Sequence, residues 1–357
     1  MYLGIFHMRN QIKIGIVYHE DYNKYDLGST HPLVGDKPKK TMEYLGLKGI
    51  LKELQIFTPK KATQKDLERV HKKEYIERVK ELSKTGGMLA ADTPAPKGIY
   101  DIARLATGGS ILCAEKLIED FKCMCNPLGG FHHASIEKSS GFCFFNDIAI
   151  TIEYLREKYH LKRFMIVDTD VHHGNGTQDI YIDDPSVLNI SIHQDGHTLY
   201  PGTGKLESIG KDEAKGFTVN LPLPPSTGTG SYLIAFNQIV PPLVKQFKPE
   251  IILFQSGVDT HHSDPLADLD LTYQAYFYIS NKMKELSENS CNKLLVLFGG
   301  GYNSNASIIC YYNVMCGLLN NPNYIKEQDS MSHFRVETVV ENISRLKKLL
   351  EDYWDFE

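Results

Sequence analysis

The sequence predicts an α/β protein, one domain spanning 1–357, with a mainly parallel central sheet and helices on both faces. Three observations predict it. Short apolar, β-branched runs alternate with longer amphipathic stretches, the pattern of strand–helix crossovers. Four of those runs are followed at once by clusters of His, Asp, Tyr and Gly, and ligands of open parallel sheets bind beyond the carboxyl ends of the strands. No internal repeat, low-complexity tract or long linker divides the 357 residues. That length allows one large α/β core or two smaller ones, and the absence of a divider favours one.

In chain order, Ile12–Tyr18 alternates and is rich in Ile and Val, which predicts a first strand. Tyr44–Leu54 has helical periodicity, and Lys65–Val70 and Glu74–Ser83 read as two short helices with His71 between them. The prolines of Asp92-Thr93-Pro94-Ala95-Pro96 predict a loop. Ile99–Glu119 is a long amphipathic helix, weakened in its middle by Gly108-Gly109. A strand follows near Lys122–Pro127, then a polar loop to Phe145 and a helix opening near Asn146 and Asp147. Further strands are expected at Phe164–Val167, Val187–Ile192, Phe217–Leu221, Ile251–Gln255 and Leu294–Phe298. Helices are expected at Tyr232–Gln246, Tyr273–Glu288, Ala306–Leu319 and Val336–Tyr353.

Composition narrows the class. A hydrophobic share of 42% and a charged share of 23% are those of an ordinary globular chain with ample core material. A net charge of -5 gives no general attraction to nucleic acid or anionic lipid, so neither partner is expected. Local basic runs at Lys37, Lys39 and Lys40 and from Lys60/Lys61 to Lys72/Lys73 read as solvated faces. Met1–Asn10 holds too short an apolar run for a secretory signal, and no segment reaches the length of a membrane span. Seven irregularly spaced cysteines then read as reduced thiols in a cytoplasm. Cys123-Met124-Cys125 reads as buried small apolar side chains in a strand, not as a metal pair.

The chemistry lies in the four post-strand clusters. After the strand near Cys125 come Gly129-Gly130-Phe131-His132-His133-Ala134 and then Gly141-Phe142-Cys143-Phe144-Phe145-Asn146-Asp147. After Val167 comes Asp168-Thr169-Asp170-Val171-His172-His173-Gly174-Asn175-Gly176. After Gln255 comes Ser256-Gly257-Val258-Asp259-Thr260, and after Phe298 comes Gly299-Gly300-Gly301-Tyr302-Asn303. Each alone is a weak signal, but four together at one sheet edge are a strong one. Asp170 and His172, two apart in extended geometry, point to the same side. With Asp259 they offer a divalent ion two carboxylates and one imidazole, which leaves room for water and substrate. Such an ion lowers the pKa of water toward ~7 and polarises a carbonyl. The His132/His133 pair supplies a base of suitable pKa, and Tyr302 on its glycine turn is placed to donate to a developing oxyanion. These parts suffice for amide hydrolysis without a Ser or Cys nucleophile.

Gly-Gly-Phe-His-His-Ala, Asp-x-Asp-x-His-His-Gly-Asn-Gly-Thr, Ser-Gly-x-Asp-Thr and Gly-Gly-Gly-Tyr-Asn, in this order, resemble the zinc-dependent histone deacetylase superfamily, whose microbial members include acetoin-utilisation proteins and acetylpolyamine amidohydrolases. The likeness runs from Tyr25-Asp26-Leu27-Gly28 and His31-Pro32 to beyond Tyr302. It implies an arginase-like fold with a roughly eight-stranded parallel sheet. It implies a metal-dependent deacetylase of acetyl-lysine protein or peptide, or alternatively of acetylpolyamines or other small acetylated amines. By the resemblance, Asp170, His172 and Asp259 are the metal ligands, His133 is the general base, His132 its electrostatic partner, and Tyr302 assists at the carbonyl. Asp168 supports His132. Phe142 and Tyr200 wall the acyl-lysine tunnel, Gly141 lies at its narrow part, Asp92 is a rim carboxylate that grips the substrate backbone, and Leu266 gates the pocket. A Glu in place of Leu266 would favour cationic polyamines.

Zinc(II) suits two Asp and one His, and Fe(II) or Co(II) would take the same set. Asp168, Asp170, His172, Ser191 and Ile192 match a structural potassium site. The chain departs from the family pattern at two positions. Asn175 stands where one branch has an Asp beside the base, and an amide fixes a tautomer without raising the imidazole's pKa as a carboxylate would. Lys37 stands where an Arg usually lines an acetate exit channel, keeping the charge but losing the fork geometry. The other histidines are expected elsewhere: His71 as a structural hydrogen-bonding group, His261 and His262 on the rim, and His193 and His197 in a rim or loop position. A ureohydrolase of the arginase type would need a second metal, whose carboxylates are missing around Asn175. A non-catalytic acyl-binding module would have lost a ligand or Tyr302, and none is lost.

Overall fold

The computed structural model describes residues 13–328 and 332–356; Ile12 of the predicted first strand and the stretch Met1–Asn10 lie outside them. The described chain runs β1 (Ile14–Val17), α1 (Lys37–Leu47), β2 (Gln55–Phe57), the single turn α2 (Gln64–Leu67) and α3 (Lys73–Thr85). A hairpin of β3 (Gly87–Ala90) and β4 (Thr93–Ala95) precedes α4 (Ile99–Glu119). Then come β5 (Cys123–Asn126), α5 (Asp147–Tyr159), β6 (Phe164–Asp168), α6 (Asn175–Tyr181), β7 (Val187–Gln194) and β8 (Thr218–Leu223). The last elements are α7 (Thr229–Phe247), β9 (Ile251–Gln255), α8 (Tyr273–Glu288), β10 (Leu294–Leu297), α9 (Ser304–Leu319) and α10 (Val336–Leu350).

Eight strands form one sheet in the order β2-β1-β5-β10-β9-β6-β7-β8, with every pairing parallel. Strands buried on both faces read as continuous apolar runs, and alternate side chains enter opposite cores. Met165 and Val167 pack with Ile252 and Phe254 on one face. Phe164 and Ile166 pack with Ile251 and Leu253 on the other.

The strand order matters most for function. Strands β5, β10, β9 and β6 are neighbours, and their registers align Asn126, Leu297, Gln255 and Asp168 at one edge. All four polar clusters therefore leave the sheet side by side. Each of the seven predicted strand runs holds a strand.

The differences have local causes. The eighth strand, β2, is a short, largely exposed edge strand with no apolar pattern to announce it. The helical signal over Tyr44–Leu54 belongs to a helix that starts earlier, at Lys37 with Pro38 in its first turn, and stops before Gly49 (φ 80°). Pro94 sits in a strand because a two-stranded ribbon asks few donors of it. The Lys65–Val70 helix is one turn, started by a reciprocal cap between Thr63 and Asp66. Gly108 and Gly109 do not break α4. A Cβ there would collide with the Lys60 carbonyl and the Tyr22 hydroxyl, so they allow close packing. The seven cysteines are free thiols, six of them buried, with Cys123 and Cys125 inside β5. Among the described residues no helix is long and apolar enough to cross a membrane.

Three buried imidazoles tie stability to pH. His71 accepts from the Asn146 backbone N–H, and burial pushes it down to about 4. Burial pushes His173 to about 4 and His193 to about 3. The unfolded imidazoles titrate near ~6.5, so below that pH the unfolded chain binds more protons than the folded one. The stability these three imidazoles contribute is therefore expected to be lost as pH drops from roughly 6.5 toward 4, and for His193 down to about 3. The thermal midpoint of His71→Gln is expected to fall less between pH 7.5 and 4 than that of the wild type; equal falls would contradict a buried neutral His71.

Candidate active site

Asp170, His172 and Asp259 converge beyond the ends of β6 and β9. Their nearest donor atoms all lie within 4.8 Å of one another, and all three residues are buried. His172 Nδ1 is 3.1 Å from Asp170 Oδ1 and 3.2 Å from Asp259 Oδ2. The remaining carboxylate oxygens are held by the protein: Asp170 Oδ2 accepts from Gln255 Nε2 and Gly300 N, and Asp259 Oδ1 accepts from Val171 N. Each carboxylate thus turns one oxygen toward a common centre. At Gly300, a Cβ would collide with the Asp259 carboxylate.

The donor set fits a divalent cation. Burial raises both carboxyls, but the His132 and His172 charges hold Asp170 well below the usual range. Asp259 is pushed up to about 7 by burial and by the Asp170 charge. Two buried carboxylates crowded in this way are what a cation relieves.

The tandem imidazoles stand beside this centre. His132 Nδ1 donates to Asp168 Oδ2 at 2.7 Å, and His133 Nδ1 donates to Asn175 Oδ1 at 2.7 Å. Their Nε2 atoms are 3.1 Å apart. Burial lowers both, but Asp168 and Asp170 lift His132 to about 9, whereas His133 is driven well below its ordinary value by burial and the His132 and His172 charges. The two rings are therefore pushed in opposite directions, His132 toward the imidazolium and His133 toward the neutral form.

A cavity open to solvent is lined by His132, His133, Asp170 and Tyr302, with Gly141 and Phe142 also on its wall. The Tyr302 ring meets Phe142 edge-on at 5.6 Å and His172 at 6.5 Å.

The profile of the histone deacetylase domain matches residues 31–318. The chain belongs to the histone deacetylase family. Relatives include a probable deacetylase of Archaeoglobus fulgidus, 39% identical over 295 residues, or 81% of each chain. The acetoin utilization protein AcuC of Staphylococcus aureus is 38% identical over 302 residues, covering 81% of this chain and 77% of its own. The crystal structure of the HDA15 HD domain matches with a TM-score of 0.86 over 96% of both chains, at 25% identity. Family membership makes the chain a deacetylase of the hydrolase class.

The remaining expected residues of this deacetylase distribute as follows. Gly141 (φ +53°) lies so close to His133 that a Cβ would strike the imidazole. Tyr200 stands edge-on to His133 at 5.2 Å and to His172 at 6.2 Å. Asp92 turns its carboxylate inward, accepting from Gly141 N at 2.9 Å. Leu266 is half-buried with its N–H on Asp264, and it is not among the residues lining the cavity. Strand pairing sets Asp168 opposite Ser191. Ser191 Oγ and His193 Nδ1 are 2.8 Å apart while His193 Nε2 donates to the Gly204 carbonyl, so the Ser191 hydroxyl donates and its lone pairs stay available. Lys37 lines the cavity, and its Nζ donates to the Gly299 and Gly301 carbonyls at 2.9 and 3.4 Å, bracing the Tyr302 turn.

Three histidine expectations need correction. His193 is fully buried at the end of β7, where the strand runs two residues longer than its apolar run. His261 and His262 do not line the cavity; both turn Nε2 to Glu327, on a loop that folds back from α9. His71 and exposed His197 lie as expected. Sequence reasoning missed Gln255, Asp147 and Asp264. Gln255 bridges Asp170 and the Gly130 carbonyl, Asp147 accepts from Gly130 N and Phe131 N, and Asp264 accepts from Tyr302 N at 2.7 Å. A polar residue closing an apolar strand was the available signal for Gln255.

Proposed function

We propose that the chain, as one catalytic domain over 1–357, is a zinc-dependent deacetylase of acetyl-lysine in proteins or peptides. The observation that carries this reading is the convergence of Asp170, His172 and Asp259, with Asp170 reaching a cavity also lined by His132, His133 and Tyr302. Asp170, His172 and Asp259 would hold the ion, which supplies Lewis acidity to the amide carbonyl and to water; iron(II) or cobalt(II) suits the same donors. His133 donates its Nδ1–H to Asn175 Oδ1, which leaves Nε2 as its proton-accepting nitrogen; Nε2 would take a proton from the attacking water in exchange for its 3.1 Å contact with His132 Nε2. His132, cationic on Asp168, supplies positive charge beside the developing oxyanion. Tyr302 donates its O–H to the same oxygen. The proton collected at His133 Nε2 then passes to the leaving amine. Phe142 and Tyr200 flank the lysine methylenes, each worth roughly 0.8 kcal/mol on burial. Gly141 leaves the passage clear, Asp92 and Leu266 would meet the substrate outside the cavity lining, and Asp168 with Ser191, Asp170, His172 and Ile192 provides oxygens suited to potassium.

The test is a substrate panel. Acetate release is expected at higher kcat/KM from an acetyl-lysine peptide than from acetylputrescine or acetylspermidine, because the neutral Leu266 offers no carboxylate to a second amine. Faster turnover of the polyamines would move the enzyme to the small-amine class.

A further inference from the structure

The catalytic reading leaves His261 and His262 unused. We propose that His261, His262 and Glu327 form a second divalent-metal site, for a zinc-like ion, behind the loop that carries Asp259. His261 Nε2 lies 3.3 Å from Glu327 Oε2, His262 Nε2 lies 3.0 Å from Glu327 Oε1, and all three donors fall within 4.8 Å of one another. Ligands at ~2.0–2.1 Å from a tetrahedral zinc are about 3.3–3.4 Å apart. Two imidazoles and one carboxylate are a borderline set that favours zinc, cobalt or iron over calcium or magnesium.

The donors are already oriented. The His261 ring stacks on Tyr273 at 4.5 Å, and its Nδ1 accepts from the Ser263 backbone N–H at 3.2 Å and lies 2.9 Å from Ser263 Oγ, contacts that fix the ring with Nε2 toward Glu327. Glu327 Oε2 accepts from Tyr273 N, the first residue of α8, at 2.8 Å, which stops the carboxylate rotating. The site is closed on one side and open on the other: side-chain exposure is 2% at His261, 23% at Glu327 and 41% at His262. His262 faces a surface depression whose wall carries Asp268, Asp270 and Glu337 against Arg335, a field that favours cations. Water can complete the coordination from that side.

The position also links the ion to the catalytic loop. Ser263 accepts from Asn303 Nδ2 through both its carbonyl and hydroxyl oxygens, and Asp264 accepts from Tyr302 N. An ion at His261 would therefore fasten the strap between Asp259 and Tyr302.

The experiment uses full-length protein, stripped by chelation and titrated with zinc(II), with cobalt(II) absorption as a second readout. The wild type is expected to take two ions per chain. His262→Ala, at a half-exposed position, should lose one of them, weakening that site by more than the ~10–100-fold that removal of a supporting partner costs. Glu327→Gln should do the same, with circular dichroism confirming that the α8 cap survives. One ion in the wild type, lost in Asp170→Asn and kept in His262→Ala, overturns the second site and leaves a metal-free imidazole–carboxylate clamp. So does retention of two ions in both variants. A single ion lost in His262→Ala but kept in Asp170→Asn supports this site and sinks the catalytic one.

Discussion

Tyr302→Phe is expected to lower kcat by about 100- to 1,000-fold, the usual effect of removing one oxyanion donor, while leaving KM, bound metal and thermal midpoint nearly unchanged. The substitution is clean because the phenol makes no hydrogen bond among the described residues, so its loss orphans nothing. The ring contacts with Phe142 and His172 survive in Phe. Burial, with the Asp259 and Asp170 charges, pushes the phenol well above its ordinary value, so it stays a proton donor throughout any practical assay range. Asp264 and Lys37 hold the backbone of the turn independently of the side chain. Steady-state kinetics on an acetyl-lysine peptide, with metal analysis of the same sample, checks this. Wild-type turnover in a fully metallated Phe variant would remove Tyr302 from the mechanism.

Chelation is expected to abolish turnover. Losing a Lewis acid worth several kcal/mol slows the reaction on the order of 1,000-fold or more, and zinc, cobalt or iron added back should restore it. Asp170→Asn should not be rescued. Its Oδ1 faces His172 while its Oδ2 holds Gln255 and Gly300, so the change removes both a ligand charge and the acceptor that fixes the glycine turn. The thermal midpoint of the stripped enzyme should also fall, since an ion that binds only the folded chain stabilises it by mass action. Full activity in chelated, metal-free enzyme would refute the metal assignment.

Strand positions were legible because they depend on short-range pattern. Ile251–Gln255 and Phe164–Val167 are apolar runs whatever surrounds them. The hairpin at Thr93–Ala95 and the edge strand at Gln55–Phe57 were not legible, since pairing and not composition makes them strands. Among site residues, the proposed ligands and the tandem imidazoles carry recognisable motifs. Gln255 and Asp264 act through contacts 85 and 38 residues away in sequence, which no local window contains.

Which chemistry each strand end carries is a property of a few consecutive residues, and it can be read from them: two carboxylates and an imidazole, a pair of histidines, a tyrosine on glycines. Which ends become neighbours is not. Chain order 5, 6, 9, 10 becomes sheet order 5, 10, 9, 6 only when parallel strands choose partners by long-range burial. That choice brings Asp259 to Asp170 and Tyr302 to His133. It also turns His261 and His262 away from the cavity toward Glu327, because the direction of a loop side chain follows from what the folded chain packs against it.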